Sequence, residues 1–189
     1  MATITVTKLD AARREIKTAI RLWFADEDPV AIHLLAYSSH EIVHRLYRDR
    51  GHSDLLFDAK NIKEQYRDRF SIALKKAANF FKHAKQGKED KPDATIEFDP
   101  KLNEIFLYLS VYGLRKMGEP PTFEDFALYA YIATQNPGWI PEAALKKHFD
   151  DKSLKAFLGL KGVPKKEFFQ ALKDGVDRLG KTTTLPFLD

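Results

Sequence analysis

The sequence predicts an all-α protein, with a four-helix-bundle-like core followed by a C-terminal helical extension. Apolar residues recur every three or four positions along most of the chain, which is the spacing of one face of an α-helix. Aspartate-proline pairs precede two of these periodic segments, as capping residues and prolines do at helix N-termini. Only residues 3–7 and 94–98 have an extended pattern, which is too little to build a sheet.

Four core helices are predicted, over residues 9–25, 29–50, 59–85 and 101–117. The second and fourth begin at the Asp-Pro pairs 28–29 and 99–100, and Asp58 caps the third. Gly51 ends the second helix. The fourth helix carries apolar residues on nearly all sides, so we expect it at the centre of the bundle.

The run Gly118-Glu-Pro-Pro marks the one internal boundary. Beyond it, helical patterns cover residues 123–135 (capped by Thr122), 141–149, a short piece from Ser153, and 164–179. We therefore expect residues 1–118 to form the four-helix core and residues 119–189 to form an extension packed on it, within a single domain.

The composition of the chain excludes cysteine chemistry and indicates where the protein is located. The chain has no cysteine, so disulfides and thiolate chemistry are excluded. The first 17 residues lack the apolar segment of a signal peptide, and no apolar run approaches the roughly 18 residues of a membrane span. A cytoplasmic protein without a membrane anchor is predicted.

Basic residues are clustered along the chain. The net charge is only +4, but residues 60–91 contain ten Lys or Arg against four Asp or Glu, and residues 146–181 contain ten against five. Clustered cations are typical of proteins that bind RNA or another polyanion, and also of ordinary solvated helix surfaces.

An H-E-x-x-H motif lies in the second predicted helix, at His40, Glu41 and His44, and Glu64 follows His44 by twenty residues. This spacing is similar to that of thermolysin-like zinc proteases. On helical wheels, however, His40 and His44 lie to one side of the apolar stripe of the second helix and Glu41 lies nearly opposite that stripe. Glu64 lies opposite the apolar stripe of the third helix. We therefore predict no metal and no cofactor, with the histidines at the boundary or surface. The alternative is a zinc-dependent hydrolase that uses His40, His44 and Glu64 as ligands and Glu41 as base.

A P-loop pattern, G-x-x-x-x-G-K-T, covers residues 175–182. A working P-loop is fed by a strand and followed by a helix that receives the phosphates. Here a predicted helix precedes the pattern and only seven residues follow it, so we interpret Gly180 as a helix C-cap.

The segment A-A-N-F-F-K-H-A at residues 77–84, with residues 19–36 and 94–100, resembles a group of uncharacterised bacterial helical proteins that share N-F-F-K-H-A. The resemblance covers residues 12–135. The segment is also similar, more distantly, to the HEPN superfamily of four-helix-bundle proteins. That similarity implies a HEPN-like homodimer that cleaves RNA without a metal, with His and Arg of two subunits meeting at the interface. Asn79 and His83 match the polar residue and the His, whereas Ala78 stands where the Arg is found.

The spacing of polar residues gives an independent reason to place a candidate site on the third helix. Arg69, Lys76 and His83 are seven residues apart and, with Asn79, form one polar edge beside the aromatic stripe. Such an edge can hold a phosphodiester and stabilise its developing charge. We predict His83 and Asn79 as catalytic residues, and Lys76, Arg69 and Lys82 as RNA-binding residues. The alternative is that these side chains only rim the buried face.

A third functional class is a non-catalytic interaction or structural protein. Trp139 and the tail at residues 185–188 are candidates for an exposed apolar docking surface.

Overall fold

The computed structural model describes residues 3–52, 64–83, 94–136, 155 and 159–179. All regular secondary structure in these ranges is helical, which confirms the all-α class. The helices are α1 (Lys8–Phe24), α2 (Pro29–Asp49), α3 (Glu64–Lys82), α4 (Leu102–Lys116), α5 (Phe123–Gln135) and α6 (Lys165–Leu179). The predicted pieces at 141–149 and from Ser153 fall, apart from Lys155, outside the described residues. No described helix is both long and apolar enough to cross a bilayer.

Helix α2 begins and ends at the predicted signals. The Asp28 carboxylate accepts hydrogen bonds from the N–H groups of Val30 (2.7 Å) and Ala31 (3.1 Å), and Pro29 occupies the first helical position. These bonds satisfy two of the four N–H groups that a helix N-terminus leaves without intrahelical partners. Gly51 has φ +83°, a left-handed conformation that glycine adopts readily and that ends the helix.

Helices α1 and α5 begin with a reciprocal capping box. In α5 the predicted cap Thr122 accepts from the Asp125 N–H (3.2 Å), and the Asp125 carboxylate accepts from the Thr122 N–H (2.9 Å). Thr7 and Asp10 make the same pair of bonds at the start of α1, at 3.0 and 3.2 Å. The Asp99 carboxylate accepts from the Lys101 N–H (3.0 Å), and α4 then begins at Leu102, one residue later than predicted.

The chain divides into two compact units. The first comprises Met1–Ala19 and Asp28–Glu119, and the second comprises Ile20–Glu27 and Pro120–Asp189. The predicted division put residues 1–118 in the core, whereas the structure groups the end of α1 with the second unit.

In the first unit, α2 packs most extensively against α4 and also packs against α3. Helix α4 supplies much of the core through Phe106, Leu107, Val111 and Leu114, as expected for a central helix. It is not enclosed on all sides, however, because Ile105 and Tyr108 stay 39% and 37% exposed.

The second unit has an aromatic core. Trp23 and Phe24 at the end of α1 make edge-to-face contacts with Tyr131 of α5, at ring-centroid distances of 5.4 and 5.8 Å. Phe168 of α6 contacts the same tyrosine ring at 5.2 Å. Because these rings come from three helices, their contacts hold the second unit together.

The second unit also carries a partly buried ion pair. The Arg21 guanidinium donates to a single oxygen of Glu124 through Nε (2.7 Å) and Nη2 (2.6 Å). Since Glu124 is only 4% exposed, this charged partner offsets the cost of burying its carboxylate.

Asp28→Ala should lower the free energy of unfolding by about 1 kcal/mol, because it removes both cap bonds while leaving the helical residues unchanged. Urea denaturation would measure the loss. The control is Asp49→Ala, which removes only an exposed Arg45–Asp49 ion pair (3.0 Å) at the other end of α2. This control should cost less than about 0.5 kcal/mol. Equal losses in the two variants would contradict the role assigned to the cap.

Candidate functional site

The C-terminal half of α3 presents a basic face. Within residues 72–83 the side chains of Lys75, Lys76, Asn79, Lys82 and His83 are exposed, and this stretch contains no Asp or Glu. We call these five residues the α3 basic face. The structure therefore brings Lys76, Asn79, Lys82 and His83 of the predicted site to one exposed surface. The Arg69 side chain lies outside the described part of the chain.

The opposite side of the same helical segment is packed. Leu74 and Ala77 are 5% and 4% exposed, and Ala78 is completely buried. The position that the predicted resemblance matches to the Arg of HEPN ribonucleases therefore faces the protein core. The catalytic roles predicted for His83 and Asn79 remain predictions.

Lys82 is held against α2 by two residues. Its Nζ lies 3.5 Å from Glu41 Oε2 and 4.9 Å from the centroid of the Tyr37 ring. The Tyr37 hydroxyl donates to the other Glu41 oxygen at 3.0 Å. Burial raises the pKa of Tyr37 well above its usual value, and the Glu41 charge and hydrogen bond raise it further. Tyr37 thus stays protonated and donates to one oxygen of Glu41, whose other oxygen faces Lys82.

A completely buried histidine lies behind this group. His33 Nδ1 is 2.8 Å from Asn103 Oδ1 on α4, and Asn103 Nδ2 donates to the Pro29 carbonyl at 3.0 Å. Because the second bond uses the amide nitrogen, the amide oxygen must accept, so His33 carries its proton on Nδ1. This chain of two hydrogen bonds ties α4 to the middle and to the start of α2.

Aromatic rings surround the His33 imidazole. The rings of Phe98, Phe106 and Phe81 lie with their centroids 4.8, 5.4 and 5.9 Å from it. His33 Nε2 is buried and has no hydrogen-bond partner among the described residues. Burial lowers the pKa of His33, the nearby Lys82 charge lowers it further, and the Asn103 hydrogen bond partly opposes both. His33 is therefore a neutral element of the core.

Sequence reasoning missed His33. The apolar stripe predicted for α2 is Ile32, Leu35, Ala36, Ser39, Ile42, Val43, Leu46 and Tyr47. Five of these residues are buried, whereas Leu35, Ile42 and Leu46 are half-buried. The stripe also extends to His33, Tyr37 and His40, which the apolar pattern excluded as polar. The signal that could have found them is their own spacing of four and three residues on one helix face.

The H-E-x-x-H motif does not form a metal site in the described part of the chain. His40 is 2% exposed, so its predicted place at the boundary or surface is wrong, and its ring lies 5.9 Å from the half-buried His44 ring. Glu64 is exposed on α3. Among the described residues no group of three or more His, Asp or Glu could hold a metal ion.

The P-loop pattern begins inside α6. Residues 175–179 are helical, as predicted, and residues 180–182 lie outside the described ranges. Trp139 and residues 185–188, the candidates for apolar docking, also lie outside them.

No protein-family model, curated protein or solved structure matches the chain. The resemblances to the N-F-F-K-H-A group and to the HEPN superfamily therefore remain predictions.

The burial of His40 predicts that the folded protein loses stability in acid. Burial, and secondarily the charge of His44, lower the pKa of His40 from 6.5 to about 3. As the pH falls below 6.5, the unfolded chain takes up a proton that the folded protein excludes, so the free energy of unfolding falls. Above about pH 7 this effect is absent. At pH 5 the loss from His40 is about 2 kcal/mol.

Urea unfolding of the wild type and of His40→Leu at pH 7 and pH 5 would isolate this contribution. The variant should lose less stability than the wild type over that interval, by about 2 kcal/mol. If the two proteins lose stability in parallel, His40 is not the neutral buried group described here.

Proposed function

We propose that the protein binds a polyanion through the α3 basic face, and that RNA is the class of polyanion. The observation that carries the proposal is the exposure of three lysines, Asn79 and His83 on one stretch that contains no carboxylate. Lysine ammonium groups bind phosphate as point charges, and amide and imidazole groups can add hydrogen bonds to phosphate oxygens. The similarity to the HEPN superfamily supports RNA as the ligand.

The cations on this face are available to a ligand. Neither Lys75 nor Lys76 is ion-paired with a described carboxylate, and Lys82 shares only a 3.5 Å contact with the exposed Glu41. An ion pair of this kind contributes little stability in water, so a phosphate group can replace Glu41 at small cost. Tyr37 still keeps Lys82 at one end of the basic face when that exchange occurs, through the contact with its ring.

The proposal is for binding and does not extend to cleavage. Cleavage of the HEPN kind needs a guanidinium beside the histidine, and Ala78, at the matching position, is buried. An arginine there would have to leave the core to reach a substrate. A basic face without that guanidinium can hold a phosphodiester but lacks the arginine that the resemblance pairs with the histidine in cleavage.

A non-catalytic protein-docking role is the second candidate, because one observation favours it. Ile72 is 67% exposed on α3, one turn before Lys75 and Lys76. A large exposed aliphatic side chain beside cations suits an acidic protein partner.

The homodimer and the cytoplasmic location expected from the sequence remain predictions.

Titration of a fluorescently labelled single-stranded RNA at several salt concentrations tests the proposal. Three lysines that neutralise phosphates should contribute a slope of about −2 to the logarithm of affinity against the logarithm of salt concentration. Replacing two of them, in Lys75→Gln/Lys76→Gln, should weaken binding and make the slope shallower by about 1.4. The RNA should remain full length on a denaturing gel.

The matched control is Lys166→Gln/Lys173→Gln, which removes the same charge from exposed positions on α6. It should leave the slope unchanged if α3 is the binding surface. Absence of RNA binding by the wild type would refute the proposal, and so would equal effects of the two double variants.

A further inference from the structure

Helix α4 carries a partly exposed aromatic stripe along one side. Ile105 and Tyr108 are 39% and 37% exposed, Tyr112 is half-buried, and Lys116 is exposed. Their spacings of three, four and four residues place them along one side of the helix. Most of the other α4 residues are buried in the first unit, although Glu104 is exposed and Leu102 and Arg115 are half-buried.

The two tyrosines on this stripe are arranged in parallel. Their ring centroids lie 6.3 Å apart with an angle of 13° between the ring planes. Lys116 Nζ lies 5.6 Å from the centroid of the Tyr112 ring. Surfaces that bind single-stranded nucleic acid combine aromatic rings, on which the bases stack, with cations that contact the phosphate backbone. The two tyrosines and Lys116 provide both kinds of group.

We propose that Tyr108 and Tyr112 form a stacking platform for the unpaired bases of single-stranded RNA. This inference rests on the proposed function, and it narrows the proposed ligand from RNA in general to single-stranded RNA. The α3 basic face supplies charge without distinguishing single from double strands, whereas a stacking platform requires bases that are not already paired.

Charge on the stripe favours RNA over a second copy of this chain. Lys101 and Lys116 lie near its two ends, and Glu104 is the one acidic residue among the described exposed side chains of α4. Two copies that met through this surface would bring like charges together, whereas a phosphate backbone would be attracted by both lysines. The distance from Lys101 to Lys116 along the helix is about 22 Å, enough for several nucleotides.

Two double variants test the platform. Tyr108→Leu/Tyr112→Leu keeps apolar side chains but removes the rings, and Tyr108→Phe/Tyr112→Phe keeps the rings and removes the hydroxyls. With a labelled single strand of about twenty nucleotides, the leucine variant should bind at least tenfold more weakly. It should keep the salt dependence of the wild type, because stacking releases no counterions. The phenylalanine variant should bind like the wild type.

A duplex of the same sequence supplies the second readout. The wild type should prefer the single strand, and the leucine variant should lose that preference. Thermal unfolding of both variants shows that they are folded before binding is compared. Sedimentation of the free proteins reports whether the stripe joins two copies instead.

The outcomes separate this inference from the proposed function. If the leucine variant binds like the wild type while Lys75→Gln/Lys76→Gln reduces the salt dependence, the platform is refuted and the α3 basic face stands. If the wild type binds no RNA, both are refuted. A wild-type dimer that the leucine variant dissociates, without a change in RNA affinity, would assign the stripe to self-association and overturn the platform.

Discussion

The hydrogen bonds from His33 to Asn103 and from Asn103 to the Pro29 carbonyl determine how the first unit is assembled. Both polar side chains are almost completely buried, and leaving either without its partner would cost roughly 1–3 kcal/mol. In the structure, both hydrogen bonds form at the observed rotation of α2 against α4. That rotation turns the face containing Tyr37 and His40 inward, where Phe106 packs against both rings.

The position of α3 follows from the same arrangement. With Tyr37 turned inward, its hydroxyl meets Glu41, and together they hold Lys82 where α3 packs on α2. Ala77 and Ala78 are small enough for close packing of α3 against the core. Lys75, Lys76, Asn79 and His83 are then left on the solvent side. The exposed basic surface is therefore a consequence of how the buried residues pack and form hydrogen bonds.

Local signals in the sequence predicted the helices, because caps and prolines act within one turn. Asp28, Thr122 and Gly51 end or begin helices where expected. The rotation of α2 was not predictable in this way, because a wheel scored by apolarity counts His33 and His40 as solvent-facing, and only their partners on other helices show otherwise. The open side of α4 was missed for the opposite reason, since Ile105 and Tyr108 are largely apolar but stay 39% and 37% exposed. For the site, spacing grouped Lys76, Asn79 and His83 correctly on one face, whereas the contact of Lys82 with Glu41 depends on tertiary packing.

The protonation state of the His33 ring is the most direct test of this account. Long-range ¹H–¹⁵N correlation spectra of the labelled protein at neutral pH distinguish the two neutral tautomers and the cation. We expect a neutral ring whose proton lies on Nδ1 and is donated to Asn103, with no proton on Nε2. A neutral ring with its proton on Nε2 would show that His33 does not donate to Asn103 and that α2 and α4 are held together in another way. A doubly protonated ring would show that His33 is not a neutral element of the core.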